Sequence, residues 1–396
     1  MKKLLCFTLS LLMLLALHIP AAATETGDPV TSSANLNDSL VSWWNFEGDK
    51  ATAVLDKATN GTVADPLTAT SKNTFDEATG TVTVPATKGQ YLRVANKSTA
   101  DLTNPSSMTV YLKAKYTGTN TDFADLIAFN NLYRIYKLKD STSSDGAVFE
   151  ACAFYTSGSN RMRPQTPKSV VIAEDQWFYL ALTMEIDEAG TATAALYIST
   201  DGVNYIKNET YATTVTSLTL DETAIATLKG YTETNVYIGK KDGNQDVGIG
   251  YTFDDIRIYN KALTADEIES INMPTCVGYQ VKDDTETDGS FSLRFLATVN
   301  SLDFAEVGFE ITAAYGSDSK PFTKSCKYVY QSVNAANGSV TAESKGGDYL
   351  IALAITGIPE DVGEVTYTVK PFAKTSAEAT PIYGDAVTVV HNIAAS

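Results

Sequence analysis

The chain has 396 residues, 47 acidic against 30 basic side chains, a net charge of −17 and two histidines. So acidic a chain repels nucleic acid and anionic membrane surfaces. With His18 inside an apolar leader and only His391 left, several-histidine zinc sites are excluded, and Ser–His or Cys–His catalysis would have to use that one residue.

Residues 1–23, MKKLLCFTLSLLMLLALHIPAAA, read as a secretory signal. Lys2 and Lys3 precede an apolar run that is too short to span a membrane, and Ala21, Ala22 and Ala23 offer a cleavage site. An exported protein with no membrane span is expected, released or held at the cell surface by non-covalent contact. Residues 24–38 are polar and read as a linker.

Residues 39–273 are strand after strand: LVSWWNF, GTVTVP, QYLRVA, SMTVYLKAKY, ADLIAFN, YRIYKL, AVFEACAFY, WFYLALTMEI, TATAALYIS, NVYIG and FDDIRIYN. In SMTVYLKAKY, Met108, Val110, Leu112 and Ala114 recur with period two, the mark of a strand with one buried face. So many strands predict one large two-sheet sandwich. In FDDIRIYN, Ile256 and Ile258 are assigned to one face, and Phe253, Asp255, Arg257 and Tyr259 to the other. A short helix closes the unit, with Thr264 as N-cap and Glu267 completing a capping box. Pro274 marks the boundary.

Residues 275–391 form a second unit with strands VGYQVK, FSLRFLATV, EVGFEITA, CKYVYQSV, DYLIALAI, VTYTVKPF and IYGDAVTV. Seven short strands match an immunoglobulin-like sandwich. Cys276 and Cys326 fall in this unit and either pair or stay reduced and buried; Cys152 reads as a core residue.

One run suggests catalysis. Residues 183–191, TMEIDEAGT, crowd Glu185, Asp187 and Glu188 after a strand, as glucanases of the laminarinase type do. Strand geometry puts Glu185 and Asp187 on one face, but the third acid is missing: the next positions are Ala189 and Gly190. The run reads instead as the turn of a hairpin.

LVSWWNFEG, QWFYLALTMEIDEAGTATAALYISTDG and YTFDDIRIYNKALTADEI together resemble the bacterial laminin-G-like, concanavalin A-type sandwich domains. The resemblance implies an all-β jelly-roll sandwich of lectin and glucanase type. It also implies adjacent first and closing strands, which would bring Glu47 and Asp56 near Asp254 and Asp255 as ligands for a structural calcium ion. The alternative is that Asp255 pairs with Arg257 or a lysine. For a sugar ligand the candidates are Tyr133, which with Tyr136 faces opposite sides of a strand, and Tyr155, Asn160, Arg161 and Arg163 in YTSGSNRMRPQTPK. Asp242 and Asn244 in KKDGNQDVG are spaced like the start of a calcium loop, but Val247 takes the place of the turn glycine, so a rim loop is expected. The expected function is non-catalytic binding of an extracellular glycan or polysaccharide, or adhesion to a cell-surface component. A hydrolase on the same fold and a structural surface protein remain alternatives.

Overall fold

The computed structural model describes residues 36–58, 66–94, 106–119, 123–129, 132–139, 149–157, 160–208, 217–224, 235–239, 248–283, 290–299, 305–315, 318–326, 349–359, 364–374, 378, 380–384 and 386–392. These residues are predominantly strand and divide between two units, Leu36–Glu269 and the segment from Ser270. The expected signal and most of the linker lie outside the described residues; Leu36–Ser39 form a single 3-10 turn.

In chain order the first unit has β1 (Leu40–Trp44), β2 (Leu67–Ala69), β3 (Thr74–Asp76), β4 (Thr81–Val84), β5 (Leu92–Val94), β6 (Ser107–Thr117), β7 (Ala124–Phe129), β8 (Tyr133–Lys137), β9 (Phe149–Ser157), β10 (Asn160–Met162), β11 (Phe178–Ile186), β12 (Thr191–Ser199), β13 (Ile206–Lys207), β14 (Ser217–Thr219), β15 (Val236–Ile238) and β16 (Gly250–Tyr259). A nine-stranded sheet has the order β13-β12-β11-β6-β16-β4-β3, with β1 beside β16 and β14 beside β12. A seven-stranded sheet has the order β10-β9-β8-β7-β15-β5-β2.

Period-two alternation on β6 and β11 sends Val110, Leu112, Leu180 and Leu182 into one core, where they meet Leu126, Ile135, Ala151 and Ile238 of the other sheet. Phe149 of β9 lies 4.5 Å, centroid to centroid, from Phe178 of β11, and the Tyr251 hydroxyl donates to the Ala124 carbonyl at 2.9 Å. Each such aliphatic side chain contributes about 1.5–3 kcal/mol by leaving water.

The alternation breaks at bulges. Between Phe253 and Asp255 the register shifts, with Asp254 as the extra residue. Phe253 therefore turns into the core beside Ile256 and Ile258, not onto the face of Asp255 and Arg257 as strict alternation required. A second bulge between Asp125 and Ile127 lets Leu126 and Ile127 both enter the core while Asp125 turns away.

Residues 183–191 are the turn between β11 and β12. Asp187 Oδ1 accepts from the Thr191 amide at 2.7 Å, the Gly190 amide donates to the Asp187 carbonyl at 3.0 Å, and Gly190 has φ 82°. Glycine takes that conformation without a Cβ clash. The capping box forms as expected: the Glu267 amide donates to Thr264 Oγ1 at 3.3 Å and the Thr264 amide to Glu267 Oε2 at 2.9 Å. The preceding turn docks on β6, where Thr109 Oγ1 donates to the Lys261 carbonyl at 2.7 Å and accepts from the Leu263 amide at 2.8 Å.

The second unit has β17 (Thr275–Asp283), β18 (Ser290–Val299), β19 (Glu306–Tyr315), β20 (Asp318–Cys326), β21 (Tyr349–Pro359), β22 (Glu364–Lys374), β23 (Ile382–Tyr383) and β24 (Val387–Asn392). Sheets β17-β18-β21 and β20-β19-β22-β23, with β24 beside β22, enclose a core of Phe295, Leu293, Ile311, Phe309, Val369 and Tyr367. The expected strand CKYVYQSV lies, except for Cys326, outside the described residues; β20 instead covers DSKPFTKSC. Pro321 hid this strand from the sequence reading, yet β20 is an edge strand, where a missing N–H is tolerated. Pro371 sits inside β22, in the gap where β24 stops pairing at Val369 and β23 begins at Phe372.

Cys276 lies on β17 and Cys326 ends β20. β17 lies at the far edge of the three-stranded sheet, across β18 from β21, and β20 lies against β21. Their side chains lie outside the described residues.

Candidate functional site

On β7, β8 and β9 the side chains facing away from the core are charged and polar. The Asp125 bulge starts one row, in which Asp125 pairs with Tyr136 and Tyr136 with Glu150, and an isolated bridge joins Glu150 to Gln165. In the next row Arg134 pairs with Cys152. Arg161 lies within β10 and Arg163 directly follows it.

Both carboxylates are buried and held. Asp125 Oδ1 accepts from Arg134 Nε at 3.1 Å and Nη2 at 2.7 Å. Glu150 Oε1 accepts from Arg163 Nε at 2.8 Å and Oε2 from Nη2 at 2.9 Å, a fork on fork. Gln165 Nε2 and the Tyr136 hydroxyl also donate to Glu150. The carboxylate side chains are 0% exposed, whereas Arg134 and Arg163 are 26% and 28% exposed. The acids form the floor and the guanidiniums face out. Burial works against the arginine charges, but Asp125 and Glu150 outweigh it and hold both guanidiniums above their ordinary value. Burial, then Glu150, pushes the Tyr136 phenol up. Burial also pushes up the Cys152 thiol, which is a poor nucleophile in that state.

Each acid is already bonded to an arginine, Asp125 to Arg134 and Glu150 to Arg163. Glu185 and Glu188 are exposed at the β11–β12 turn, and Asp187 caps it.

The other sequence candidates fall as follows. Arg163 joins the network, and Arg161 acts on its Cys152 through charge. Tyr133 does not: it is fully buried in the core with its ring 5.9 Å from Phe129, so it offers no face to a ligand, and Tyr136 holds the opposite side of β8. Tyr155 and Asn160 lie on β9 and β10, but their side chains are outside the described residues, as are Asp242 and Asn244. Sequence reasoning missed Asp125, Arg134, Glu150 and Gln165. An acid inside each of the apolar runs ADLIAF and FEACAF was the available signal, because a buried charge demands a partner.

The calcium candidates each have another partner. Asp56 Oδ1 accepts from the Trp43 and Ala58 amides at 2.8 and 3.0 Å. The Glu47 carboxylate lies over Gly80, with Oε1 2.6 Å from where a Cβ would stand. Asp254 pairs with Lys113, and Asp255 with Arg257 at 2.9 Å and with the Trp43 indole N–H at 2.8 Å. Among the described residues no three His, Cys, Asp or Glu side chains gather as a metal site. The donor set does not fit calcium, since an ion there would have to displace Lys113 and Arg257. First and closing strands are indeed neighbours, β1 beside β16, but the acids serve the sheet. The Arg257 guanidinium lies 4.0 Å from the Trp43 ring centroid, and Trp43 and Trp44 are both buried, one on each face of β1.

No family model matches the chain, and no curated protein matches it. Among solved structures it is similar to the binding domain of Paraclostridial Mosquitocidal Protein 1, at 13% identity over 90% of this chain and 76% of that one, TM-score 0.40. It is similar also to the binding domain of botulinum neurotoxin DC in complex with rat synaptotagmin II, at 11% identity over 90% and 94%, TM-score 0.41. A third is the botulinum neurotoxin serotype C1 binding domain, at 11% identity over 90% and 95%, TM-score 0.40. Likeness this low decides neither fold nor ligand.

Proposed function

We propose that the first unit is a non-catalytic glycan-binding module of an exported protein, and that its ligand lies on the outer face of the seven-stranded sheet. One observation carries this reading: two buried carboxylates are committed to orienting partly exposed arginines. Donors fixed before a ligand arrives lose little entropy on binding. Planar donors such as Arg134, Arg163 and Gln165 suit the hydroxyls and anionic groups of a saccharide.

In this reading the first unit is a concanavalin A-type, laminin-G-like sandwich, and the second an immunoglobulin-like spacer or docking unit. Export follows from residues 1–23. Among the described residues no helix is long and apolar enough to cross a membrane. A glycan array with and without chelator tests the reading. Binding is expected in both arms; a blank array in both removes it, and binding only without chelator restores a role for calcium. Reducing-sugar release from mixed polysaccharides is expected to be nil, and release abolished by Glu150→Gln would show a hydrolase instead.

A further inference from the structure

We propose that the saccharide taken on this face is an acidic one, whose carboxylate or sulfate group is bound by the outward edges of Arg134 and Arg163. The inference rests on the glycan-binding reading and specifies its ligand class. It starts from which guanidinium atoms are already used. Arg134 bonds Asp125 through Nε and Nη2, and Arg163 bonds Glu150 through the same two atoms. Nη1 takes part in none of these bonds. Because the Nε edge of each fork is fixed against a buried acid, the remaining edge has a set direction, and both side chains keep about a quarter of their surface exposed. A planar fork with one edge anchored inside is built to meet an anionic oxygen pair with the other.

The floor between these arginines is small. Cys152 is the cross-strand neighbour of Arg134, and it feels the charges of Arg161, Arg134 and Arg163 together with the opposing charge of Glu150. An anionic group seated over Cys152 would meet guanidiniums rather than a bulky side chain. Among the described residues, the guanidiniums of Arg134 and Arg163 are the groups this face turns to water. A neutral sugar has less to gain here, because the aromatic faces are occupied: the Arg134 guanidinium lies 5.2 Å from the Tyr136 ring centroid, Phe123 meets that ring at 5.5 Å, and Lys139 lies 5.2 Å from the Phe123 ring. Charge, not ring stacking, is what this face presents.

The test measures binding of the full chain to polygalacturonate, dextran sulfate and unmodified dextran. At least one polyanion is expected to bind ten times more tightly than dextran, with affinity falling as salt is raised; which one binds separates carboxylate from sulfate. Arg134→Lys keeps a cation for Asp125 but removes the outward edge, and is expected to weaken polyanion binding about tenfold or more. Arg163→Lys serves the same purpose if the first variant fails to fold, and Glu185→Gln, on β11 of the nine-stranded sheet, should bind as wild type. Dextran binding as tightly as both polyanions, or folded lysine variants binding as wild type, overturns the proposal while leaving a glycan-binding face. No binding to any of the three, together with a blank array, removes both readings.

Discussion

Arg163→Leu is the sharpest perturbation of the buried network. Glu150 is fully buried and accepts from Arg163 through two bonds of 2.8 and 2.9 Å, with Gln165 and Tyr136 as its other donors. Breaking a buried pair by deleting one partner costs about 3–5 kcal/mol, because the remaining charge is stranded. Arg163 is 28% exposed and two neutral donors remain, so a loss of about 3 kcal/mol is expected. Combining Glu150→Gln with Arg163→Leu removes the stranded charge, while the amide that replaces the carboxylate can still pair with the two neutral neighbours. The double variant should lose only about 1 kcal/mol, about 2 kcal/mol less than Arg163→Leu alone. The assay is urea unfolding followed by tryptophan fluorescence. All three tryptophans, Trp43, Trp44 and Trp177, lie in the first unit, so the signal reports that unit. If the double variant is no more stable than Arg163→Leu alone, the single change stranded no charge. The account of Glu150 as a positioning acid then fails.

Asp187→Ala removes the bond to the Thr191 amide at the hairpin turn and should cost about 1 kcal/mol in the same urea assay. Thr264→Ala should cost about 1 kcal/mol through the lost cap. Burial works to raise the Glu267 carboxyl, but Lys261 and Thr264 outweigh it and hold it below its ordinary value of 4.5. Its contribution is therefore complete above that value and fades as pH falls through the lower folded one, so the difference in thermal midpoint between wild type and Glu267→Gln should shrink below pH 4.5. Thiol titration of the denatured, unreduced protein decides the state of Cys276 and Cys326: Cys152, Cys276 and Cys326 all react if they stay reduced, and Cys152 alone if they pair.

Much of the fold was legible because burial imposes a period. Met108, Val110, Leu112 and Ala114 announce a half-buried strand, and they form one. Turn chemistry was legible too: the Asp187 and Gly190 positions were sufficient to distinguish a hairpin from a catalytic triad. Thr264 and Glu267 marked the helix start for the same local reason. Long-range facts were not legible. Nothing in the spacing of Cys276 and Cys326 says that one strand joins the three-stranded sheet and the other the five-stranded one. Nothing in DSKPFTKSC says that Pro321 would fall on an edge.

The site was the least legible part, and bulges are the physical reason. Under strict alternation Asp125 would share a face with Ile127 and Phe129, and Asp255 with Phe253. One extra residue in each strand separates them, sending the aromatic or aliphatic side chain inward and the acid outward. The two bulges then diverge in what they build. At Asp255 the acid, Arg257 and Trp43 close on one another until Arg257 is 4% exposed, which spends the charges within the sheet. At Asp125 and Glu150 the acids are buried just as deeply, but their arginines stay partly in water. A network meant only to neutralise its charges would close as the first does. A cationic edge left outward stays hydrated and open to a ligand, which makes the seven-stranded sheet, and not the carboxylates beside β1, the face on which to look for one.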